Sequence, residues 1–525
     1  MPNASKIAVS TRIFALALLA ASIPMLLLPE TAFADDSIWV RSKGKGQMIY
    51  KELPKGDRIP DFSHAGYMGG GVAIPDVPVK KTLIPSGADD TASIQEALDE
   101  IGKMDLVNGA RGALLLAPGV FHCSKTIVLQ HSGVVLRGSG SMSTILELTG
   151  PPHLGLSARG ANDVQTVGSP VPIVDDYVPA GSSSFRVKDP SAFGAGDAIQ
   201  IIRPVTDAWI RFMGMHDLKR NGKKQTWVSG DIRTERVINR ISGNTVYVDV
   251  PLTDSFDSEY LGVEGTKVVK VIRSGLISQV GIENLRLIAP PQKISLNQPQ
   301  YSAITMRGAV DSWLRDIEVV DTTNGVSVGE GTKRVTVERV SVIQNVAIVG
   351  GAKPADFAVS GSQVLFNRCS GKGDATFYFA TQAKVQGPNV ILNCTFHGNG
   401  RIQPHQRWAT GLLIDSCNLP DGGIDLQNRG EMGSGHGWSI GWSVAWNNKA
   451  QSFVIQQPPG SMNWSIGNRG EERKIPMPTF GSPKQTETLP QGIVESPGKP
   501  VQPNSLYLEQ LLRRLGSQAL KNIGY

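Results

Sequence analysis

The sequence predicts an all-β protein built as a parallel β-helix, a solenoid in which successive coils stack through their strands. One observation is the composition: 58 Gly and 33 Pro among 525 residues, with only 19% charged residues, is typical of short strands joined by tight turns. The other is a pattern that recurs from residue 280 onward, in which an apolar residue, two polar or turn residues and alternating apolar residues follow one another. The second turn position of each repeat is occupied by Asn284, Asp316, Arg339, Arg368, Asn393, Ser416, Asn447 and Asn468.

The spacing between these turn positions varies, whereas the short strand beside them is constant. This combination indicates coils that share a strand and differ in their loops, each stacked about 4.8 Å above the last. A leucine-rich solenoid would need L-x-x-L-x-L in every unit and steadier spacing, and neither is present. Cys369, Cys394 and Cys417 each follow the turn position, which predicts an interior stack of reduced thiols. A disulfide between two of them is the alternative.

Residues 1–34 have the pattern of an export signal. Lys6 and Arg12 precede a mostly apolar stretch over 13–28, and Ala-Phe-Ala at 32–34 offers a cleavage site. We therefore expect an exported protein, periplasmic or extracellular, with no membrane span because no later run is long and apolar enough. The net charge of +6 favours acidic partners mildly, and the lack of a Lys/Arg block argues against nucleic acid.

A capping helix is predicted at the start of the solenoid. Asp90 is a helix-capping residue type, and Ile94, Ala97, Leu98 and Ile101 fall on one helical face. Such a helix would cover the first coil, which is otherwise an unpaired edge.

The remaining organisation follows from breaks in the repeat. Hairpin-like segments interrupt the rhythm and predict an inserted β-rich lobe that contains Trp209 and Trp227. Near the end, Ser505 precedes Leu508, Leu511, Leu512 and Leu515, which predicts a one-faced helix. The expected order is an extension wrapping the first coils (35–84), the β-helix (85–470) with its lobe (151–275), a Pro-rich tether (471–503) and a C-terminal helix (504–525).

Three segments near the start resemble a known family. GADDTASIQEAL (87–98), LLLAPGVF (114–121) and VVLRGSG (134–140) look like the opening of the pectate-lyase superfamily of pectin-lyase-like proteins. The resemblance implies a right-handed parallel β-helix capped by a helix, a fold that hosts lyases, hydrolases, transferases and phage adhesins. Later segments resemble exported β-helix proteins of predicted carbohydrate activity, which implies a carbohydrate partner without a defined substrate. These are QRWATGLLID, NRGEMGSGHGW, QPPGSMNWSIG and SLYLEQLLRRLG.

Polar residues that recur at one offset in successive coils predict the functional site, because stacking brings them to within about 5 Å. Positions eleven residues before the turn are Gln382, His405 and His436, and positions nine before it are Lys384, Arg407 and Trp438. The two offsets share a face of the strand, and we expect that face to be the solvent-exposed one. A plain solvated face is the alternative interpretation.

The predicted site has two sets of residues. His436, His405, Arg407 and Arg429 form the catalytic set. Lys384, Gln382, Trp438, Asn428 and Asp425 form the substrate-binding set. Within the second set, Trp438 is expected to stack on a sugar ring, because an indole is broad and apolar with one N–H donor. Trp408 and Trp446 are expected to be at least partly core.

Two enzyme chemistries fit these residue types. In β-elimination of a uronic-acid polymer, a base removes the proton α to a carboxylate that a cation neutralises, which suits adjacent His and Arg. Hydrolysis needs two carboxylic acids beside the bond. GSGHGWSIG (433–441) resembles a segment of the polygalacturonases, and Asp421 and Asp425 precede it. The chain departs from that family because its adjacent aspartate pair and its R-I-K tripeptide are missing.

No cofactor is predicted. Calcium, which pectate lyases of this fold often bind through clustered carboxylates, is unsupported because the nearby aspartates sit at different offsets. These are Asp374, Asp415, Asp421 and Asp425. Two stacked histidines are too few for zinc. The expected partner is an acidic polysaccharide. A non-catalytic carbohydrate-binding adhesin, which would carry aromatic ladders instead of a His/Arg cluster, is the alternative.

Overall fold

The described residues of the computed structural model, 34–44, 47–263 and 265–525, contain a right-handed parallel β-helix. Its 28 strands form one sheet in which every pairing is parallel. The fold class predicted from the repeat is confirmed. The predicted export signal lies outside the described residues except for Ala34. Within the described part of the chain, no helix is long and apolar enough to cross a bilayer.

Each coil has three strand-bearing sides, which we call the first, second and third faces in chain order. The first face stacks Val79–Leu83, Gly112–Leu116, Val134–Arg137, Ile277–Ser278, Ser362–Asn367, Gln386–Leu392, Ala409–Asp415, Ile440–Gly441, Ser443–Trp446, Asn463–Ile466 and Ile493–Glu495. The second face stacks Gly119–Cys123, Thr144–Leu148, Ser370–Lys372, Thr395–His397 and Arg469–Glu472. The third face stacks Ile127–Leu129, Leu154–Arg159, Ser302–Arg307, Asn324–Val328, Ala355–Val359, Phe377–Thr381 and Arg401–Ile402.

Five longer strands pass around a corner and serve two faces each. Gly281–Ile288, Ala309–Val320 and Lys333–Ile343 belong to the first and second faces. Asn418–Leu426 and Lys449–Ile455 belong to the second and third faces.

The predicted turn positions form the corner between the first and second faces. The first seven of them, from Asn284 to Asn447, have φ angles of 48° to 58°, in the left-handed region. Asn and Asp tolerate this conformation, and Arg and Ser are held in it by the ladder on both sides. The last position is wrong by one residue: Gly467 takes the left-handed place, and Asn468 lies over Asn448, whose N–H donates to the Asn468 amide oxygen at 2.8 Å.

The cysteines confirm the interior stack. Cys369, Cys394 and Cys417 are buried and unbonded, and the backbone N–H of Cys369 points at the Cys394 sulfur at 3.3 Å. Burial raises the pKa of the Cys394 thiol well above its usual range. These side chains therefore pack as small apolar groups among the Val, Leu and Ile of the coil interior.

The capping helix is Thr91–Gly102, and it covers the open first coil as predicted. Ile94, Leu98 and Ile101 are buried against the interior of the solenoid. Asp90 is the capping residue, yet its carboxylate accepts the Ser86 N–H at 2.9 Å, so it closes the preceding turn and leaves the helical N–H groups to other partners.

The N-terminal extension does not wrap the first coils alone, as expected for 35–84. It begins against the last coils, where Asp36 pairs with Gln502 and Trp39 meets the Trp464 ring at 6.2 Å. It then runs along the outer side of the first face, where the Tyr67 ring packs edge-on against Trp313, before its end becomes the first strand of the sheet. It includes the hairpin Val40–Lys43 and Gln47–Tyr50 and the 3₁₀ turn Tyr67–Gly69.

The C-terminal segment joins the same covering layer. The expected tether over 471–503 instead contributes the strand Ile493–Glu495, which adds a further rung to the first face. The helices Leu506–Leu515 and Ser517–Asn522 follow, and the Ser505 hydroxyl caps the first by accepting the Leu508 N–H at 3.2 Å. Leu511 is buried, but Leu515 is exposed, because the helix turns a different side to the β-helix from the one expected.

The inserted lobe starts later than the expected residue 151, because Leu154–Arg159 is still a strand of the third face. Its antiparallel six-stranded sheet consists of Asp163–Pro172, Lys267–Ser274, Ala198–Arg203, Ile232–Ser242, Thr245–Val248 and Ser184–Arg186. Short pairs and turns complete it: Tyr177–Val178 with Phe256–Asp257, Lys219–Arg220 with Lys223–Lys224, the helix Asp207–Phe212 and the 3₁₀ turn Ser258–Tyr260.

The position of the lobe in the coil determines where it packs. It is inserted at the corner between the third and first faces, and it folds over the same corner of later coils. Arg236 of the lobe donates to the Gly387 carbonyl at 3.2 Å, and the Trp227 indole N–H donates to the Trp438 carbonyl at 3.1 Å. This corner therefore carries both a long insertion and, as described next, the predicted site.

Candidate active site

Two histidines meet at the corner between the third and first faces. His405 lies in the link from Arg401–Ile402 to the next first-face strand, and His436 lies one coil further on, after the short helix Met432–Gly435. Their Nε2 atoms are 3.0 Å apart, and their rings are edge-to-face with centroids 4.7 Å apart. One Nε2 therefore carries the hydrogen and donates, and the other Nε2 accepts, so the two rings are in different tautomers. The predicted stacking of these two residues is what the structure has.

Arginines surround the pair. Arg429 is buried, donates to the His405 carbonyl oxygen at 2.7 Å and lies over the Phe377 ring at 5.3 Å. Arg407 is more accessible and donates to the Ser434 hydroxyl at 2.7 Å and to its carbonyl at 3.1 Å. The four predicted catalytic residues are thus brought together in one cluster.

Both imidazoles are held neutral at pH 7. Burial, followed by the charges of Arg429 and Arg407, lowers the pKa of His405 to about 4. The same causes, with the neighbouring His405 ring and Arg220, lower the pKa of His436 to about 3. A neutral imidazole beside fixed positive charge can accept a proton while an anion binds next to it.

The two histidines differ in access. His436 is only 7% exposed, and its Nδ1 has no hydrogen-bond partner among the described residues. His405 is half-buried, so it is the more exposed of the two rings. A substrate at this corner would have better access to His405 than to His436.

Asp425 is buried and fully engaged. It accepts both an Arg401 guanidinium contact and the Gln403 side-chain N–H, the latter at 2.6 Å. Both of its carboxylate oxygens therefore already accept hydrogen bonds from within the protein. Its predicted role as a direct substrate ligand would require the ion pair with Arg401 to open.

The side chains of Lys384 and Gln382, one from each predicted row, do not join the histidine cluster. Lys384 reaches the lobe and donates to the Ser229 carbonyl at 3.0 Å, whereas Gln382 accepts from Gln406 at 3.2 Å. The backbone register also varies here: Gln386 pairs with Thr410 and Asn389 with Leu412, so the offset between these two coils changes by one residue. An offset counted along the sequence cannot detect that shift.

Trp438 was expected at the surface as a sugar platform, but it is 3% exposed and part of an aromatic core between the lobe and the corner. Its indole N–H donates to the Met213 carbonyl at 3.1 Å. Asn428 is buried as well, and its side-chain oxygen accepts the Gly430 N–H at 2.8 Å to shape the loop before His436. Both residues therefore build the walls of the site.

All nine tryptophans are buried. They are Trp39, Trp209, Trp227, Trp313, Trp408, Trp438, Trp442, Trp446 and Trp464. The prediction that Trp408 and Trp446 fill core is confirmed. An exposed tryptophan ladder, the feature expected of the adhesin alternative, is not formed by these residues.

The remaining predicted carboxylates have separate places. Asp415 is buried and accepts the Tyr507 N–H and the Ser505 hydroxyl, each at 2.8 Å, so it anchors the C-terminal helix, and burial raises its pKa to about 6. Asp374 and Asp421 are exposed. Within the described part of the chain, no group of three or more His, Cys, Asp or Glu side chains is placed to hold a metal ion.

Three neighbours of the site were not predicted. Arg220, from the lobe, donates to the Gly433 carbonyl and adds positive charge near His436. Phe377 packs against the His405 ring with centroids 5.4 Å apart. Ser434 receives Arg407. Phe377 pairs with Arg401 in the neighbouring coil, so a coil offset from His405 does not point to it, and no pattern in the sequence connects Arg220 to this corner.

Comparison with known proteins gives structural likenesses without a family. No family model matches the chain, and no curated protein matches it in sequence. The tailspike gp49 of Pseudomonas phage LKA1 is 14% identical, with 73% of this chain and 69% of that chain covered and a TM-score of 0.39. A tailspike double mutant of E. coli bacteriophage HK620 is 10% identical, covers 79% and 63%, and has a TM-score of 0.40.

A third likeness is to an enzyme module. The A-module of the mannuronan C-5 epimerase AlgE6 from Azotobacter vinelandii is 12% identical, with 83% of this chain and 98% of that module covered and a TM-score of 0.29. Membership of the pectate-lyase superfamily, which the segments between 87 and 140 suggested, stays a prediction. The fold itself rests on the strand pairing described above.

Proposed function

We propose that this protein is a carbohydrate-active enzyme that cleaves an acidic polysaccharide by β-elimination at the His405–His436 corner. The observation that carries the proposal is a pair of neutral imidazoles flanked by Arg407 and Arg429. Elimination next to a uronate needs a base that is unprotonated at the working pH and a cation for the carboxylate, and this cluster offers both.

The roles follow from access. Arg407 is the more exposed guanidinium and would hold the uronate carboxylate through paired N–H donors. His405 would take the proton from the carbon α to that carboxylate. The electron pair released from this C–H bond forms the carbon–carbon double bond, the bond to the glycosidic oxygen breaks, and the oxygen leaves with a proton from solvent. The bound carboxylate offsets the charge of the new imidazolium.

His436 acts in this proposal as a positioning residue. Its Nε2 holds the His405 ring through the 3.0 Å contact, and its burial keeps it from the polymer. Arg429 holds the His405 backbone and supplies positive potential from behind. The base is therefore fixed on both its ring and its main chain.

Hydrolysis is the weaker candidate. It needs two carboxyl groups across the bond, one of them able to donate a proton. Asp425 is committed to Arg401 and Gln403, and Asp421 is exposed on the other side of a strand irregularity. We also propose that the protein works outside the cytoplasm, on the strength of the export pattern in residues 1–34.

The test uses pectic, alginate-like and glycosaminoglycan polymers with the wild type and three variants, His405→Ala, His436→Ala and Arg407→Ala. Elimination leaves an unsaturated, ultraviolet-absorbing sugar at the new chain end. Loss of a positioned base should lower the rate roughly 10²–10⁴-fold for His405→Ala. His397→Ala, an exposed histidine on the second face, is the matched control and should keep full activity.

Three results would overturn the proposal. Saturated products would favour the hydrolase, with Asp421 and Asp425 the next residues to change. Full activity in both histidine variants would place the site elsewhere. Binding of every polymer without any product would favour the adhesin.

A further inference from the structure

A second concave site lies beside the histidine corner, between the inserted lobe and the β-helix. It is a small, partly open cleft. The residues that matter for its chemistry are Arg203, Trp209, Phe212, Asp254, Tyr260 and Trp408. None of them belongs to the proposed catalytic cluster, although Trp408 directly follows Arg407 in the chain.

Arg203 is an under-used donor in this cleft. It is 4% exposed, and its Nε and Nη1 have no hydrogen-bond partner among the described residues. The guanidinium lies over the Trp209 ring, 4.0 Å from its centroid, and its Nε is 3.7 Å from the Asp254 carboxylate, an ion contact too long for a hydrogen bond. Buried N–H groups without acceptors destabilise the fold. An acceptor entering the cleft would remove that destabilisation.

Two stacked aromatic side chains also line the cleft. Phe212 and Tyr260 are half-buried and stack nearly parallel, with centroids 4.0 Å apart and an interplanar angle of 14°. Their inner faces cover each other, so a pyranose would pack its C–H face on an outer face or on the edges of this pair, with its hydroxyls toward the polar donors. The tryptophans cannot offer such a surface, because all nine are buried.

The acidic side chains of the cleft disfavour binding of an acidic sugar. Asp254 accepts the Trp408 indole N–H at 3.1 Å and the Ser255 N–H at 3.0 Å, and it lies beside Arg203, whose charge opposes the rise that burial causes in the pKa of Asp254. Asp257 also lines the cleft, where it pairs with Lys55. A uronate would face two carboxylates here, in contrast to the arginine-rich corner beside it.

We infer that this cleft binds an uncharged pyranose unit, with its ring against Phe212 and Tyr260 and its hydroxyl oxygens accepting from Arg203. The site is a binding site and takes no part in bond cleavage. One consequence rests on the proposed function: with a uronate at the histidine corner, the polymer would be a heteropolysaccharide that contains both acidic and neutral sugars.

The experiment measures binding by calorimetry, with neutral hexasaccharides of glucose, galactose and mannose and with hexagalacturonate as probes. At least one neutral probe should bind the wild type, and binding should weaken about tenfold in Phe212→Ala and in Tyr260→Ala. Tyr247→Ala is the matched control: this half-buried tyrosine of the same lobe stacks under Arg240 but lies outside the cleft. It should bind as the wild type does.

Arg203→Gln tests the donor directly and should also weaken binding of the neutral probe. Arg203 is buried, so this variant could fail to fold, and in that case the two aromatic variants decide the test. The inference is overturned if no neutral probe binds the wild type, if only hexagalacturonate binds, or if the aromatic variants bind like the control. The His405→Ala variant should bind the neutral probe unchanged. Loss of the elimination activity therefore tests the proposed function alone.

Discussion

The outer side of the first face and the corner between the third and first faces carry opposite kinds of side chains on one backbone repeat. Outward positions of the first face are apolar, such as Leu392, Leu413 and Trp446, and both terminal segments cover them. The corner carries His405 and Arg407, with the lobe folded over it. In the first region burial stabilises the fold, and in the second it shifts pKa values. In this β-helix, the apolar side covered by the terminal segments contributes stability, and the corner covered by the lobe carries the polar groups of the site.

The largest expected effect concerns the covered face. Trp464→Ala removes a fully buried ring that packs on Trp39 and Trp442, and we expect the free energy of unfolding to fall by about 3–5 kcal/mol. Turnover per folded molecule should stay unchanged, because Trp464 is remote from the corner in the coil. Denaturant unfolding and a rate assay measure the two quantities. Ile84→Ala, at an exposed position, should change stability by less than about 0.5 kcal/mol.

The next effect concerns the corner and its arginines. Arg407→Gln removes one of the charges that lower the pKa of His405, so the acid limb of the kcat/KM profile should move to higher pH as well as fall in height. Wild type should lose activity only as the pH drops toward about 4. Arg469→Ala, an exposed arginine on the second face, is the control. An unmoved limb in Arg407→Gln would mean that this charge does not act on the base.

The two histidines of the corner should also make the free energy of unfolding depend on pH. The folded pKa values of His405 and His436, about 4 and about 3, lie below the value near 6.5 of an unfolded chain. The unfolded chain therefore binds more protons between about pH 3 and pH 6.5, and the free energy of unfolding falls as the pH is lowered through this window. His436→Gln should make that slope shallower, whereas an equal slope would contradict the burial of a neutral imidazole. The exposed His216→Gln is the matched variant.

The smallest effect concerns the backbone that the two regions share. Ala375 has a φ of 52°, a conformation that costs an L-residue about 1–2 kcal/mol, so Ala375→Gly should raise stability by about 0.5–1 kcal/mol. Ala358→Gly, in the third-face strand Ala355–Val359, should have the opposite sign because glycine weakens an extended strand. Thermal unfolding of both variants checks this. Equal signs would contradict the view that left-handed corners define the coil.

The turn positions, the capping helix and the cysteine stack could be predicted because each depends on residues close in sequence or on a repeat. A left-handed corner selects Asn, Asp or Gly locally, and an interior position selects small apolar residues in every coil. The meeting of His405 and His436 was predictable for the same reason, since both sit at one offset from a repeated turn.

Only the tertiary structure decided the surroundings of that pair. Lys384 donates to the lobe and Trp438 is buried against it, and no offset counted along the chain could show either contact. The extension over 35–83 crosses to the last coils, and the lobe brings Asp254 and Arg220 to later coils; these contacts join residues more than 150 positions apart. The sequence by itself determined the repeat, because stacking acts between neighbouring coils. Burial, charge and access at the site came from segments that pack on the solenoid from outside.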